Sequence, residues 1–188
     1  MATADFTISK FQGSLKYGGA RPSLFDISIT GRPTGLSAIP DMTTQCQVSA
    51  IPGLTVTPIE RQYFGRTVKI PGDMVFADLS TTIINTESFS VRAGVEQWMD
   101  KLNGTASNYG FSDSTSGYGT LQLTQYNKEG DDIMTWEFVD CWPQTVAEVP
   151  LSYDTASDIE TFDVTWAYNY YTSSKGSATG VSSYAKQE

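Results

Sequence analysis

Between Ile51 and Gly104 the rhythm of apolar and polar positions changes twice. Two alternating runs flank Phe64-Gly65-Arg66 and predict a hairpin, because period-two alternation fits a half-buried strand and glycine favours a tight turn. After Pro71-Gly72-Asp73 a strand is expected over Val75–Ile84, ending in the polar cluster Asn85–Ser88. The period then lengthens. Val91, Val95, Trp98, Met99 and Leu102 fall on one face of a helix, with Ser88 as its cap and Gly104, after Asn103, as a left-handed stop.

The rest of the chain reads mainly as strands. Phe25, Ile27 and Ile29 alternate within Leu24–Thr30; Gly31–Met42, with two prolines and two glycines, reads as a loop. Thr43–Ile51 is a second strand with Cys46, Val48 and Ala50 on one face. Thr105–Gly119 is rich in Ser, Gly, Asn and Asp and reads as a mobile surface loop. Thr120–Tyr126 and Asp132–Val139 flank Asn127–Asp131, a hairpin turn with Gly130 at the positive-φ position and Met134, Trp136 and Phe138 facing inward. Thr145–Tyr153 places Ala147, Val149, Leu151 and Tyr153 on one side. The final strand alternates longest, through Phe162, Val164, Trp166, Tyr168 and Tyr170.

The sum is a mainly β fold: an antiparallel β-sandwich or barrel of about seven or eight strands with one amphipathic α-helix. Three regions follow: an N-terminal arm over 1–20, one domain over 21–171, and a Ser/Gly-rich tail over 172–188. Phe6, Ile8 and Phe11 suggest that the arm packs against something, such as a neighbouring subunit. No repeat recurs at a fixed period, which speaks against a propeller or solenoid.

Composition narrows the chemistry. The 188 residues include no histidine, which removes the commonest general base and both Ser-His-Asp and Cys-His arrangements. The glycines form neither phosphate-cradling pattern. Asp154, Asp158 and Glu160 loosely suggest a calcium loop but lack its ligand spacing and central glycine, so they read as a polar turn. No cofactor, metal or catalytic residue is expected. Cys46 and Cys141 read as two buried thiols, with a disulfide as the other option. Trp142-Pro143 and the Tyr168–Tyr171 cluster read as packing, with a sugar-stacking platform as the competing idea. Arg92 and Glu96 are a solvated i,i+4 pair.

The formal net charge is −9, with 12 Lys and Arg against 21 Asp and Glu. Such a surface repels phosphates, which disfavours nucleic-acid binding without arguing against a conduit where DNA must pass without sticking. From composition alone the acidity reads first as what keeps a cytoplasmic protein soluble. No leader pattern and no membrane-length apolar run is present, so a protein made and used in a cytoplasm is expected.

Six segments carry a resemblance: RQYFGRTVKIPGD (61–73), TTIIN (81–85), FSVRAGVEQWMDKLNG (89–104), LTQYNKEGD (123–131), WEFVDCWPQTVAEVPLSYD (136–154) and DIETFDVTWAYNYY (158–171). In this order the chain resembles the tail tube proteins of contractile-tailed, T-even-like bacteriophages over roughly 20–171. The resemblance implies the phage tail tube (Hcp-like) fold and a structural role without catalysis. It implies hexameric rings stacked into a tube inside a contractile sheath, in a virion tail assembled in the host cytoplasm. Implied partners are the chain itself, the tail sheath protein, baseplate or tube-initiator and tail terminator proteins, and the tape measure protein, with viral DNA passing through unbound. Ring-to-ring contacts are expected in residues 2–20 and in Gly53–Tyr63.

On the polar strand faces, Glu137, Glu148 and Asp163 are candidates for lining the channel. A tube initiator or the tube of a phage-derived injection machine is the alternative within the class. A carbohydrate-binding β-sandwich is the alternative outside it.

Overall fold

The computed structural model describes residues 7–15, 18–39, 41–110, 114–155 and 158–175. Strands β1 (Phe25–Gly31), β2 (Cys46–Ser49), β5 (Leu79–Ile84), β6 (Gly119–Tyr126), β7 (Asp132–Val146), β8 (Thr161–Ala167) and β9 (Tyr170–Ser173) form one antiparallel sheet. Its order is β1-β6-β7-β8-β5-β2, with β9 paired to β7. Strands β3 (Leu54–Tyr63) and β4 (Arg66–Phe76) form a separate hairpin. The helices are α1 (Ile8–Ser14), α2 (Met42–Gln45) and α3 (Ser90–Leu102).

The sheet folds over on itself because β7 turns a corner. Its first part pairs with β6 and β9, and its last part with β8. Asp140 sits in the register shift just before their junction, at φ 54, a left-handed conformation that breaks the pleat. The β8–β9 strand breaks beside it: the Asn169 backbone N–H donates to Val139 O at 3.2 Å, and Asn169 Nδ2 to Asp140 Oδ2 at 2.9 Å. Two limbs result, each turning one face inward.

The core fills the space between them. Ile27, Leu121, Leu123, Trp136 and Phe138 come from one limb; Leu79, Ile83, Phe162, Val164 and Trp166 come from the other. Helix α3 adds Val91, Val95 and Trp98, with the Trp98 and Trp166 rings 5.7 Å apart. Both buried indole N–H groups are satisfied, as burial requires, whereas Ser49 Oγ is buried without a hydrogen-bond partner among the described residues. Trp98 Nε1 donates to Gly117 O at 2.9 Å, and Trp166 Nε1 to Thr81 Oγ1 at 3.0 Å.

Several expectations hold. The β1 and β6–β7 alternations are as read, and Gly130 has φ +90. Others need correction. Pro71-Gly72-Asp73 lies inside β4, and Val75–Ile84 divides at Ala77-Asp78. The second strand shortens to Cys46–Ser49, preceded by α2, and Leu36, Ile39 and Met42 bring the presumed loop into the core. Trp142 and Pro143 lie within β7, whereas Leu151 and Tyr153 are exposed outside any strand. Strand alternation stops at the corner, so Tyr171 packs on the core and Tyr170 is 46% exposed.

The helix starts differently too. Phe89, at φ 51, is the residue before it, while the Ser88 and Thr86 hydroxyls pair with each other. At its end Asn103 is extended, and the Gly104 N–H bonds Tyr109 O instead of making a left-handed stop. The surface loop at 105–119 is tied to the body by Gly117 and by the Asn103–Gly110 bridge.

Cys46 and Cys141 are free thiols. Burial pushes Cys46 up to about 11 and raises Cys141 further. No described helix is long and apolar enough to cross a membrane.

Two outcomes follow. Trp98→Ala removes a buried ring and a satisfied N–H, so denaturant unfolding should show a loss of about 3–5 kcal/mol; a loss below about 1 kcal/mol contradicts this core. Because burial raises both thiols, little thiolate is present at pH 8, so a thiol reagent should label the native chain slowly and the urea-unfolded chain quickly. Cys141 is buried but Cys46 only half-buried, a correction to the expectation of two buried thiols, and equal rates contradict the shielding of both.

Candidate assembly interface

The hairpin is built to project. Phe64 (φ 45) and Gly65 (φ +78) make a two-residue turn with both residues left-handed, the geometry whose twist matches paired strands. Register then runs Tyr63↔Arg66, Arg61↔Val68 and Ile59↔Ile70 to Pro58↔Pro71. The next pair is Val56↔Met74, so Gly72 and Asp73 together face Thr57 in a bulge. A Cβ on Gly72 would lie 2.6 Å from Thr57 O, which accounts for glycine there.

The bulge redistributes the apolar residues between faces. Near the body, Leu54, Val56, Met74 and Phe76 share one face, and Phe76 packs against Tyr168 and Tyr171 at 6.1 and 5.6 Å. Beyond the bulge that face becomes polar, with Gln62, Thr67 and the Glu60–Lys69 pair at 3.3 Å. The opposite face then carries Ile59, Tyr63, Val68 and Ile70 beside Arg61 and Arg66.

All ten residues of β3 are exposed. Leu54, Val56, Ile59, Tyr63, Phe64, Val68, Ile70, Met74 and Val75 each keep between 44% and 90% of their surface open. A two-stranded hairpin is marginal by itself in water, and a contiguous exposed apolar surface marks an interaction site. The arm adds to it: α1 buries no residue, and Ile8 and Phe11 are 77% and 66% exposed. Phe6 and the rest of residues 1–6 lie outside the described residues.

The acidic candidates separate. Asp163, on β8, accepts from Thr82 Oγ1 at 2.6 Å. Glu148 lies close to it in the chain path, because the Ala147 N–H donates to Asp163 O at 2.8 Å. Glu137 is on the other limb, exposed, between Gln122 of β6 and Thr172 of β9. The structure therefore places Glu148 one residue beyond a backbone bond to Asp163 and leaves Glu137 on the other limb. Period-two alternation located each polar face but not the corner between them.

Other candidate chemistry resolves into packing. Trp142 stacks on Tyr118 at 5.1 Å and 25°, and Tyr168 and Tyr171 lie 5.0 and 5.8 Å from Phe138. Tyr168 Oη also donates to Ala77 O at 2.6 Å, and burial pushes it up to about 12. Of the suggested calcium-loop residues, Glu160 accepts from Asn85 Nδ2 at 2.7 Å, and Asp154 and Asp158 are exposed. No group of three or more His, Cys, Asp or Glu placed to hold a metal occurs among the described residues. Arg92 pairs with Glu96 at 2.9 Å and lies 5.3 Å from the Phe162 ring centre, so it is less solvated than its spacing implies.

The family model described as phage tail tube protein matches residues 20–174. The chain belongs to that family. Tail tube protein gp19 of Enterobacteria phage T4 is 26% identical over 153 residues, covering 81% of this chain and 90% of the relative. The tail tube protein of Serratia phage KSP90 is 24% identical over 149 residues, covering 77% and 84%. Among solved structures, a chain of an extracellular contractile injection system, the PVC sheath-tube complex in its extended state, superposes with a TM-score of 0.58. It is 17% identical, with 89% of this chain and 98% of that chain covered, a likeness of fold.

Tail tube membership makes the hairpin's exposure testable. In the unassembled chain, amides of β3 and β4 should exchange with solvent far faster than those of β7 and β8, because few contacts oppose local opening. On assembly they should become protected. Equal protection of hairpin and β7 before assembly contradicts a free hairpin.

Proposed function

We propose that this chain is the main tail tube subunit of a contractile phage tail. Six copies close into a ring, and rings stack into the DNA conduit inside the sheath. The exposed apolar hairpin carries this reading: its residues, open in the single chain, gain burial against another copy. A contact between unlike surfaces that closes after a fixed rotation gives a ring, and repetition along the axis gives a tube. Edge strands β1 and β2 fit such pairing, which turns an aggregation hazard into an assembly surface.

The channel face is the outer side of β5 and β8 in this reading. It presents Ser80, Thr82, Ile84, Thr161, Asp163 and Thr165, which include no cation. Glu148 adjoins it; Glu137 faces elsewhere. A ring carries six times the −9 of one chain, and a lumen without phosphate contacts leaves no bond to break at each step of DNA passage. Function is then geometric, with no catalysis. The virion tail is the site of action, after assembly in the host cytoplasm. Sheath, tube-initiating or baseplate, terminator and tape measure proteins are the partners.

The sequence likeness to phage tail tube proteins supports the phage reading over an injection machine, whose fold is shared at lower identity. A glycan-binding sandwich gains no support, because of the rings proposed for it Trp142 packs on Tyr118, and Tyr168 and Tyr171 pack on Phe138.

Two experiments test this. Replacing Glu60–Lys69 with a two-residue Asn-Gly turn should leave a folded, ring-forming protein that makes no tubes by electron microscopy; tubes of normal length contradict the reading. In particles, E148K with D163K should slow DNA ejection while tails assemble, and E137K should leave it unchanged. Normal ejection from the E148K/D163K particles contradicts the assigned lumen.

A further inference from the structure

A second exposed apolar surface lies where β7 gives way to the segment leading into β8. Leu151, Tyr153 and Ile159 are 84%, 104% and 72% exposed there. Val149, Pro150 and Asp158 join them in lining an open groove of about 610 Å³, and no lysine or arginine lines it. Asp154 stands beside it, exposed. The groove is therefore apolar and acidic. The distal face of the hairpin is apolar and basic, with Ile59, Tyr63, Val68 and Ile70 beside Arg61 and Arg66. Neither arginine is ion-paired among the described residues.

We propose that the groove formed by Val149–Tyr153 and Asp158–Thr161 seats the β3–β4 tip of a second copy of this chain, in the adjoining ring. The proposal rests on the tube reading above and identifies the hairpin's receptor. Apolar residues of the tip cover Leu151, Tyr153 and Ile159, while Arg61 and Arg66 meet Asp154 and Asp158. The two surfaces do not satisfy each other within one chain, since both are open in it. An eleven-residue β4 spans about 35 Å, enough to carry the tip beyond its own subunit. Tyrosine and arginine on the tip are residue types that dominate binding energy at interface centres, and opposed charges fix register.

A charge exchange tests it. R61E/R66E alone, and D154R/D158R alone, should each reduce the polymerised fraction at least about tenfold in sedimentation, because like charges then face each other. Rings should persist. All four residues are exposed, so the thermal midpoint of each variant should match wild type. The combined variant, with the charges interchanged, should recover tube formation. Tubes from either pair at wild-type yield, or a combined variant as defective as its parents, overturns the assignment. Wild-type protein that forms neither rings nor tubes, even on a baseplate template, overturns the tube reading and the receptor with it. A stacking defect without charge rescue overturns the receptor alone.

Discussion

Strand β7 holds the two limbs of this molecule in one sheet, and the other main strands take their places from where it bends. Its backbone serves β9 as far as Val139 and β6 as far as Cys141, and β8 from Trp142 onward. The bend is stabilised from the side by Asn169, through one backbone and one side-chain hydrogen bond. With the two limbs so angled, inward residues of each meet over one core, and Trp98 and Trp166 pack where α3 covers it. This body is held by an apolar core drawn from both limbs and α3. Its outward surfaces are thereby left free for assembly.

The hairpin obeys a different constraint. The same alternation that buries β8 leaves β3 and β4 with apolar residues in water, because among the described residues no further layer lies over them. The bulge at Gly72-Asp73 moves the apolar stripe from one face to the other, so the base of the hairpin packs inward through Phe76 and its tip presents a basic, apolar face outward. A soluble monomer gains nothing from such a surface. A subunit that must join neighbours both around a ring and along an axis does.

Much of the fold was legible because most elements obey one local rule. Phe162, Val164 and Trp166 alternate and are buried; Val91, Val95 and Trp98 recur at helical spacing and are buried. What stayed hidden was non-local. Asp140 and Asn169 carry no sequence mark of a corner, so β7 read as two strands and Tyr170 as inward. Pro71-Gly72-Asp73 has turn composition, yet it forms a bulge, which uses the same residue types. Leu151 and Tyr153 alternate as a buried strand would, but alternation does not say whether the covering layer is the chain itself or another copy. The candidate acids show the same gap: each polar face was found, and the separation of Glu137 from Asp163 was not. The family resemblance, carried by segments spread over 61–171, reached further than any local rule.

The most direct measurement is cryo-electron microscopy of the full chain assembled at high concentration or on a baseplate template. The account predicts a hollow tube of six-membered rings, with the outer face of β5 and β8 toward the channel and each β3–β4 hairpin covered by a neighbouring ring. Monodisperse monomers under both conditions, or rings whose hairpins remain bare in solvent, would contradict it.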